Sequence, residues 1–475
     1  MAIGRDKLLS TTCDRIWMQS LHQLVLTWSV GFAQPTRSTG AKHASRIPFS
    51  TAVPRYTPQH YSQIEPELLL SLLSSLLVLI VVARLFGKIF AKYNQPELIG
   101  EILAGVLLGP AVFDYIQPTP ALAGISELAV FLIILSAGLE MRIGDVLSAT
   151  RGRGLILALL SFAIPFLGGV AVALAFELDV MRTVFLGLCV SITALPVAVK
   201  LMENMGILHT NIARYAIATA VVNDVAALFI LGIVLNVPSQ PSFALITSSV
   251  FEATGKLVLL AGGVLAFNWM LAFLDSRKVS VQVIPERLVQ YFGTEALFGI
   301  VVLFVLAFGS ISEFLGFHFV IGAFFGALFL DQKHFLASRY GDLKTTLNSI
   351  TGGFLAPVFF AFLGLEFQID ALDNIEFPAA VLGVSIITKV IAGWLGGRVV
   401  GMSLRESLGL GCILNGRGVM ELVVASIAYQ KGFIGDEMYS TLVLMGILTT
   451  FITPILFSGA MSKQRLITYR ESGVA

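Results

Sequence analysis

Ala216-Ile217-Ala218-Thr219-Ala220-Val221-Val222-Asn223-Asp224-Val225-Ala226-Ala227-Leu228-Phe229-Ile230-Leu231 is an apolar run with a single charge, Asp224, and an amide, Asn223, beside it. The run extends from 216 to 237, close to the roughly 20 residues that carry a helix across the hydrocarbon of a bilayer. A carboxylate at that depth is costly, and an ionisable group inside a span is by default a functional-site candidate.

Runs of the same kind fill the chain from residue 65 onward. Thirteen are read, at 67–90, 97–113, 122–141, 155–176, 183–202, 216–237, 257–274, 294–316, 317–331, 351–367, 377–401, 406–429 and 436–458. The totals agree: 475 residues, 56% hydrophobic and 13% charged, with a mean hydropathy of +0.85. A soluble domain carries about 25% charged residues, so this chain could not cover a soluble surface. The reading is an all-α polytopic membrane protein. A cytosolic enzyme, a nucleic-acid binder and a disordered protein are excluded.

Lys+Arg at 31 against Asp+Glu at 30 gives no reason to expect a polyanionic partner. The three cysteines, Cys13, Cys189 and Cys412, are too scattered for a disulfide framework or a zinc site. HExxH, GxSG and GxGD motifs are missing. No enzyme activity and no cofactor is expected. His209 falls in a loop, where a solvated histidine is the plainer reading than a pH sensor.

With the first run taken from outside to inside, the inner loops and C-terminal tail hold nineteen Lys and Arg, and the outer loops hold only Arg182, Lys256 and Lys431. That bias supports both the span count and an integral membrane protein with a cytoplasmic C-terminus, in a plasma (inner) membrane or an internal one. Residues 1–65 read as a tail, signal-like or disordered, with a weak apolar stretch at 20–33. Residues 461–475 read as a short cytoplasmic tail with no further domain after it.

Two basic residues belong to neither loops nor tail. Lys389 and Arg417 sit in the middle of spans. Arg417 and Glu421 are spaced i, i+4 and can pair on one helix face; an internal ion pair is the plainest reading. Asp224 has no basic neighbour in sequence, and Lys389 is its obvious partner.

Two runs are interrupted at mid-span. The fifth carries Ser191-Ile192-Thr193-Ala194-Leu195-Pro196, where proline breaks the helix. The twelfth carries Asn415-Gly416-Arg417-Gly418, where two glycines flank a charge. The breaks lie seven spans apart, so the two helices run in opposite directions. Leu186-Gly187-Leu188 and Leu408-Gly409-Leu410 recur ahead of them and set Thr193 opposite Asn415. The pattern predicts inverted repeats with two broken crossing helices, whose ends make a polar site at the midplane.

The ordered motifs resemble the monovalent cation:proton antiporter-2 family, which has the sodium/proton exchanger fold. The resemblance runs from about 66 to 460. It rests on Gln95-Pro96-Glu97-Leu98-Ile99-Gly100-Glu101-Ile102-Leu103-Ala104-Gly105, Leu107-Leu108-Gly109-Pro110, Glu127-Leu128-Ala129-Val130 and Ala137-Gly138-Leu139-Glu140. To these it adds Ile192-Thr193-Ala194, Asn223-Asp224, Thr388-Lys389 and Asn415-Gly416-Arg417-Gly418 with Glu421-Leu422. The resemblance implies a homodimer of thirteen-helix protomers. The dimer scaffold would be 67–141 and 294–367, the moving core 155–237 and 377–458, and the linker helix 257–274. It also implies elevator-type exchange of Na+, K+ or Li+ for H+, with a role in pH homeostasis. Asp224 would bind cation or proton, never both, and Lys389 would neighbour that site.

Asn223 departs from electrogenic members, which carry two adjacent acids, while Lys389 departs from common electroneutral ones. The expectation is one proton per cation, because Asn223 cannot ionise. Thr193, Ser191 and Asn223 are candidate oxygen ligands beside Asp224, and Asn415 is a further oxygen donor; hard alkali ions favour oxygen. Asn415, Arg417 and Glu421 are core residues of structural or functional role. A sodium-coupled symporter and a cation channel or facilitator stay open as alternatives.

Overall fold

The structure is a computed structural model that describes most of residues 66–461; outside the description lie 1–65, 462–475, and internal stretches that include 141–151, 195–197, 203–206, 237–250, 274–290 and 331–336. Pro196, His209 and part of the 257–274 run therefore lie outside the described residues, as do the terminal tails.

The described chain is helical: α1 (Pro66–Lys92), α2 (Glu97–Leu108), α3 (Pro120–Glu140), α4 (Arg153–Ala175), α5 (Val180–Ser191), α6 (Asn211–Val234), α7 (Thr294–Phe314), α8 (Phe319–Leu328), α9 (Ala337–Ile350), α10 (Ala356–Leu365), α11 (Glu376–Val399), α12 (Leu404–Leu414), α13 (Val419–Gln430) and α14 (Asp436–Ala460). Among the described residues, eight helices are long and apolar enough to cross a membrane, or nine if the pair α12 and α13 counts as one span bent by 40°. The helices α5 and α8 are apolar but shorter. The expected count of thirteen is thus not fixed by the described residues.

The starts are written locally. Asp179 caps α5 and Thr210 caps α6, each side chain accepting a backbone N–H of the first turn. Ser403 and Glu406 close a reciprocal capping box on α12. One boundary differs from expectation. Residues 337–350, ASRYGDLKTTLNSI, are too polar to read as a span, yet they form α9 and continue through one π-helical turn at Thr351–Leu355 into α10. The span runs Arg339–Leu365, so it begins well before the expected 351.

The helices pack in two groups. One holds α1, α2, α3 and α10, with α7, α8 and α9 beside them. The other is built on α4, α5, α6, α11, α12, α13 and α14. Two glycine contacts recur in the second group. A Cβ on Gly169 of α4 would lie 2.7 Å from Gly187 Cα of α5, and one on Gly393 of α11 would lie 2.3 Å from Gly411 Cα of α12. Both pairs have the same sequence separation, and Ser161 and Ser385 occupy matching places ahead of them. The register these contacts give puts Ser191, not Thr193, opposite Asn415; the shared Leu-Gly-Leu fragment is two residues off, because backbone approach decides register where apolar letters repeat by chance.

Candidate functional site

The two mid-span interruptions meet. Helix α5 ends at Ser191, and Ile192 is extended at φ −65° and ψ 147°. Opposite it, α12 ends at Leu414 and α13 starts at Val419, with Gly418 extended at φ −174°. Ala194 N–H donates to Gly416 O at 3.1 Å, and Thr193 Oγ1 donates to Leu414 O at 3.3 Å. The two breaks are thus hydrogen-bonded to each other.

A helix end leaves carbonyls without intrahelical partners, and the partial negative charge of the helix dipole gathers there. In α5 those carbonyls are taken by the two cations that the loops could not account for. Lys389 Nζ, reaching from α11, donates to Ser191 O, to Ser161 O of α4 at 3.2 Å, and to Thr193 Oγ1 at 2.7 Å. Arg417 donates through Nη1 to Cys189 O and Ile192 O, both at 2.7 Å, and through Nη2 to Val190 O at 2.6 Å. The four carbonyls 189–192 are held by two fully buried positive charges.

Asp224 lies on α6 at 1% exposure, and its Oδ1 accepts no hydrogen bond. Lys389 is within its electrostatic reach, but no ion pair joins the two among the described residues; the ammonium is satisfied by neutral oxygens instead. Asn223, one position earlier, donates its Nδ2 to Ser161 Oγ at 2.8 Å and to Thr193 Oγ1 at 3.4 Å. Its Oδ1 is buried and unpartnered.

Thr193, Asn223 and Lys389 therefore come together around one hydroxyl. Ser191 joins by its carbonyl; its own hydroxyl turns back to Leu188 O at 2.7 Å. Asn415 bonds away from this cluster, toward α14. Its Nδ2 donates to Thr453 Oγ1 at 3.2 Å and to Thr449 O at 3.5 Å, while its Oδ1 has no partner. Arg417 and Glu421 are in contact, Nε to Oε2 at 3.5 Å, but the strong donors of the guanidinium go to α5, so the expected i, i+4 pair is the weaker of its bonds.

Sequence reasoning missed Ser161, which supplies both a carbonyl and a hydroxyl. It also missed Thr449, Thr450 and Thr453, which line α14 opposite the second break; Thr450 Oγ1 accepts from Arg417 N–H and donates to Arg417 O. A Thr-Thr-x-x-Thr stripe on an otherwise apolar helix was the available signal.

A cavity of about 620 Å3 opens elsewhere, among Pro110, Thr119, Phe362, Glu366, Asp370 and Tyr429. It does not include Asp224. At its edge the two helix groups touch: Tyr439 of α14 donates to Leu363 O at 3.1 Å and to Glu366 Oε2 at 3.2 Å. Glu366 lies one residue beyond α10, and burial pushes its carboxyl up to about 7, against the pull of the Tyr439 hydroxyl.

The profile of a family described as sodium/hydrogen exchanger, transmembrane, matches residues 76–462. Curated relatives include the Na(+)/H(+)-K(+) antiporter GerN of Bacillus cereus, 25% identical over 375 residues, covering 78% of this chain and 91% of that protein. Another is the Na(+)/H(+) antiporter NhaS4 of Synechocystis, 25% identical over 392 residues, covering 78% and 92%. The Cation/H(+) antiporter 15 of Arabidopsis thaliana is 30% identical over 420 residues, covering 81% of this chain but only 47% of that one; the chain spans about half the length of the Arabidopsis relatives it matches. Among solved structures, the sodium proton antiporter MjNhaP1 of Methanocaldococcus jannaschii shares the fold, with a TM-score of 0.63 at 17% identity over 85% of this chain and 99% of that one.

Proposed function

The chain belongs to the sodium/hydrogen exchanger family, and from that premise we propose that it is a secondary active antiporter exchanging a monovalent cation for protons. Na+ is the first choice of cation, with K+ and Li+ behind it, and the movement is elevator-type alternating access. The observation that carries the reading is the seat of Lys389. An ammonium, itself a monocation, rests on Ser161 O, Ser191 O and Thr193 Oγ1 beside a carboxylate with a free oxygen. Oxygen clusters of this kind suit hard alkali ions.

In this mechanism Asp224 holds either the cation or a proton. Thr193, the carbonyl of Ser191 and the Oδ1 of Asn223 complete the oxygen set, and Lys389 yields part of its own set as the ion enters. A bare buried carboxylate is costly to move, so the core reorients only when Asp224 carries one of its two ligands. That condition makes exchange obligatory. Asn223 cannot ionise, so one proton exchanges for one cation and the cycle is electroneutral.

The moving core is 155–237 with 377–458, the dimer scaffold 67–141 with 294–367, and the linker 257–274. The division of the helices into two packing groups supports that assignment, and the loop charges support a cytoplasmic C-terminus.

The test is proton flux in proteoliposomes with an internal pH dye, on addition of Na+, K+ or Li+ at clamped potential. Cation-driven proton movement independent of the potential is expected. In Asp224→Asn it should vanish while the melting profile stays that of a folded protein. Retained exchange in that variant would sink the assignment of Asp224; proton movement that follows the potential would refute one-to-one exchange.

A further inference from the structure

Glu421 is a fully buried carboxyl that the mechanism above does not use. Neither of its oxygens accepts a hydrogen bond, and Arg417 Nε, 3.5 Å from Oε2, donates none. The guanidinium has its strongest donors on the α5 carbonyls, which already balance much of its charge. Across the interface, Gly446 of α14 faces Glu421, and a Cβ there would stand 3.9 Å from Oε1. The charged or titratable groups in reach are Arg417 on its own segment, Lys389 from α11 and the Cys189 thiol from α5.

Opposing influences meet on this carboxyl. It sits in the first turn of α13, where the helix dipole favours the anion, and Arg417 favours the anion too. Burial without a donor favours the acid. Neither carboxylate oxygen is committed to a hydrogen bond, so the group is open to a proton. The charge count of the core then gives the consequence. With Glu421 ionised, Asp224, Lys389, Arg417 and Glu421 sum to zero, and a cation brings the sum to plus one. With Glu421 protonated, the same cation must enter a cluster that is already positive.

We propose that Glu421 is a second proton site of the core and that a proton bound there weakens cation binding at Asp224. The step is a simple transfer: hydronium gives its proton to a Glu421 oxygen and leaves as water, and the reverse returns it. Exchange stays one to one when Glu421 keeps the same protonation in the cation-loaded and the proton-loaded core. The inference rests on the antiporter reading, which it deepens by adding a linkage between two ligands.

The experiment is calorimetric titration of the purified protein in nanodiscs with Na+, and with K+ and Li+, across a pH series. Competition at Asp224 alone gives a slope of about one in log Kd against pH; a second linked proton takes it toward about two. The wild type should exceed one in its acid range. Glu421→Gln mimics the acid permanently, so its slope should fall to one and its affinity at high pH should be about tenfold weaker. Glu421→Asp should restore the steeper slope. A wild-type slope of one throughout overturns the proposal, as does a Glu421→Gln slope as steep as the wild type's. The wild-type slope decides even where the Gln variant does not fold. Absence of cation binding to the wild type at any pH would instead overturn the antiporter reading itself.

Discussion

Arg417→Met removes the guanidinium that holds the end of α5 and keeps the length of the side chain. Three carbonyls, of Cys189, Val190 and Ile192, lose donors at 2.6–2.7 Å. The residue is fully buried, so water cannot replace them. Each orphaned acceptor costs about 1–3 kcal/mol, but the desolvation of the buried charge is recovered. The net expectation is a loss of about 4 kcal/mol.

Arg417→Lys keeps the charge but offers one ammonium to a fan of three carbonyls from two sides of a planar fork. It should lose about half as much. The assay is thermal melting in detergent, read by the loss of monodisperse protein. At about 2.1 cal/mol/K of unfolding entropy per residue, the Met variant should melt about 4 °C lower and the Lys variant between it and the wild type. If both variants melted like the wild type, Arg417 would not hold the α5 end. If Glu421→Gln lowered the melting point as far as Arg417→Met, the ion pair and not the carbonyls would be the main bond.

The neighbouring residues give three more tests. Thr193→Val deletes the hydroxyl shared by Lys389, Asn223 and Leu414 O and should raise the apparent KM for the cation about tenfold, by the cost of about one buried hydrogen bond; Ser191→Ala should do far less, because that hydroxyl only turns back on its own helix, and equal effects would remove Thr193 from the site. Gly411→Ala puts a Cβ 2.5 Å from Val390 O, whereas Gly383→Ala on the same helix pair meets nothing within 4 Å; melting should fall by about 1–3 kcal/mol for the first and stay level or rise for the second. Glu366 is pushed up to about 7 from 4.5, so the folded protein holds this proton where the unfolded chain has lost it. The sign is that stability falls as pH rises from the unfolded value to about 7 and then levels, by at most about 3 kcal/mol; Glu366→Gln should therefore stabilise at pH 8 and not at pH 4, and a gain equal at both would show that its carboxyl is not shifted.

The spans were legible in the sequence because a bilayer permits few alternatives. Every backbone group must be satisfied inside the segment, so apolar length alone reports the helix. Where that constraint lapses, legibility lapses with it. Residues 337–350 carry Arg339, Asp342 and Lys344; no unbroken apolar run marks them, and their helix is continuous with α10 through the π turn, with Leu343 and Leu347 on its buried side. Ser161 was invisible for the opposite reason: one serine in an apolar helix has no pattern, and its role comes from Lys389, which is 228 positions away.

Arg417 shows what local rules miss. The i, i+4 rule pairs it with Glu421, and the contact exists at 3.5 Å. Yet a broken helix end offers several acceptors at once, carries the negative pole of the dipole, and cannot be solvated at that depth. Such an end competes better for a guanidinium than a single carboxylate does. The same argument covers Lys389, expected to pair with Asp224 and found on Ser191 O. The two basic residues left over from the loop count are therefore counter-charges to one backbone terminus. A mid-span cation in a chain with a mid-span break should first be tried against the carbonyls of that break, and only then against the nearest acid. Here that order leaves both Asp224 and Glu421 without a strong partner, which is the condition for an acid to take up and release ions.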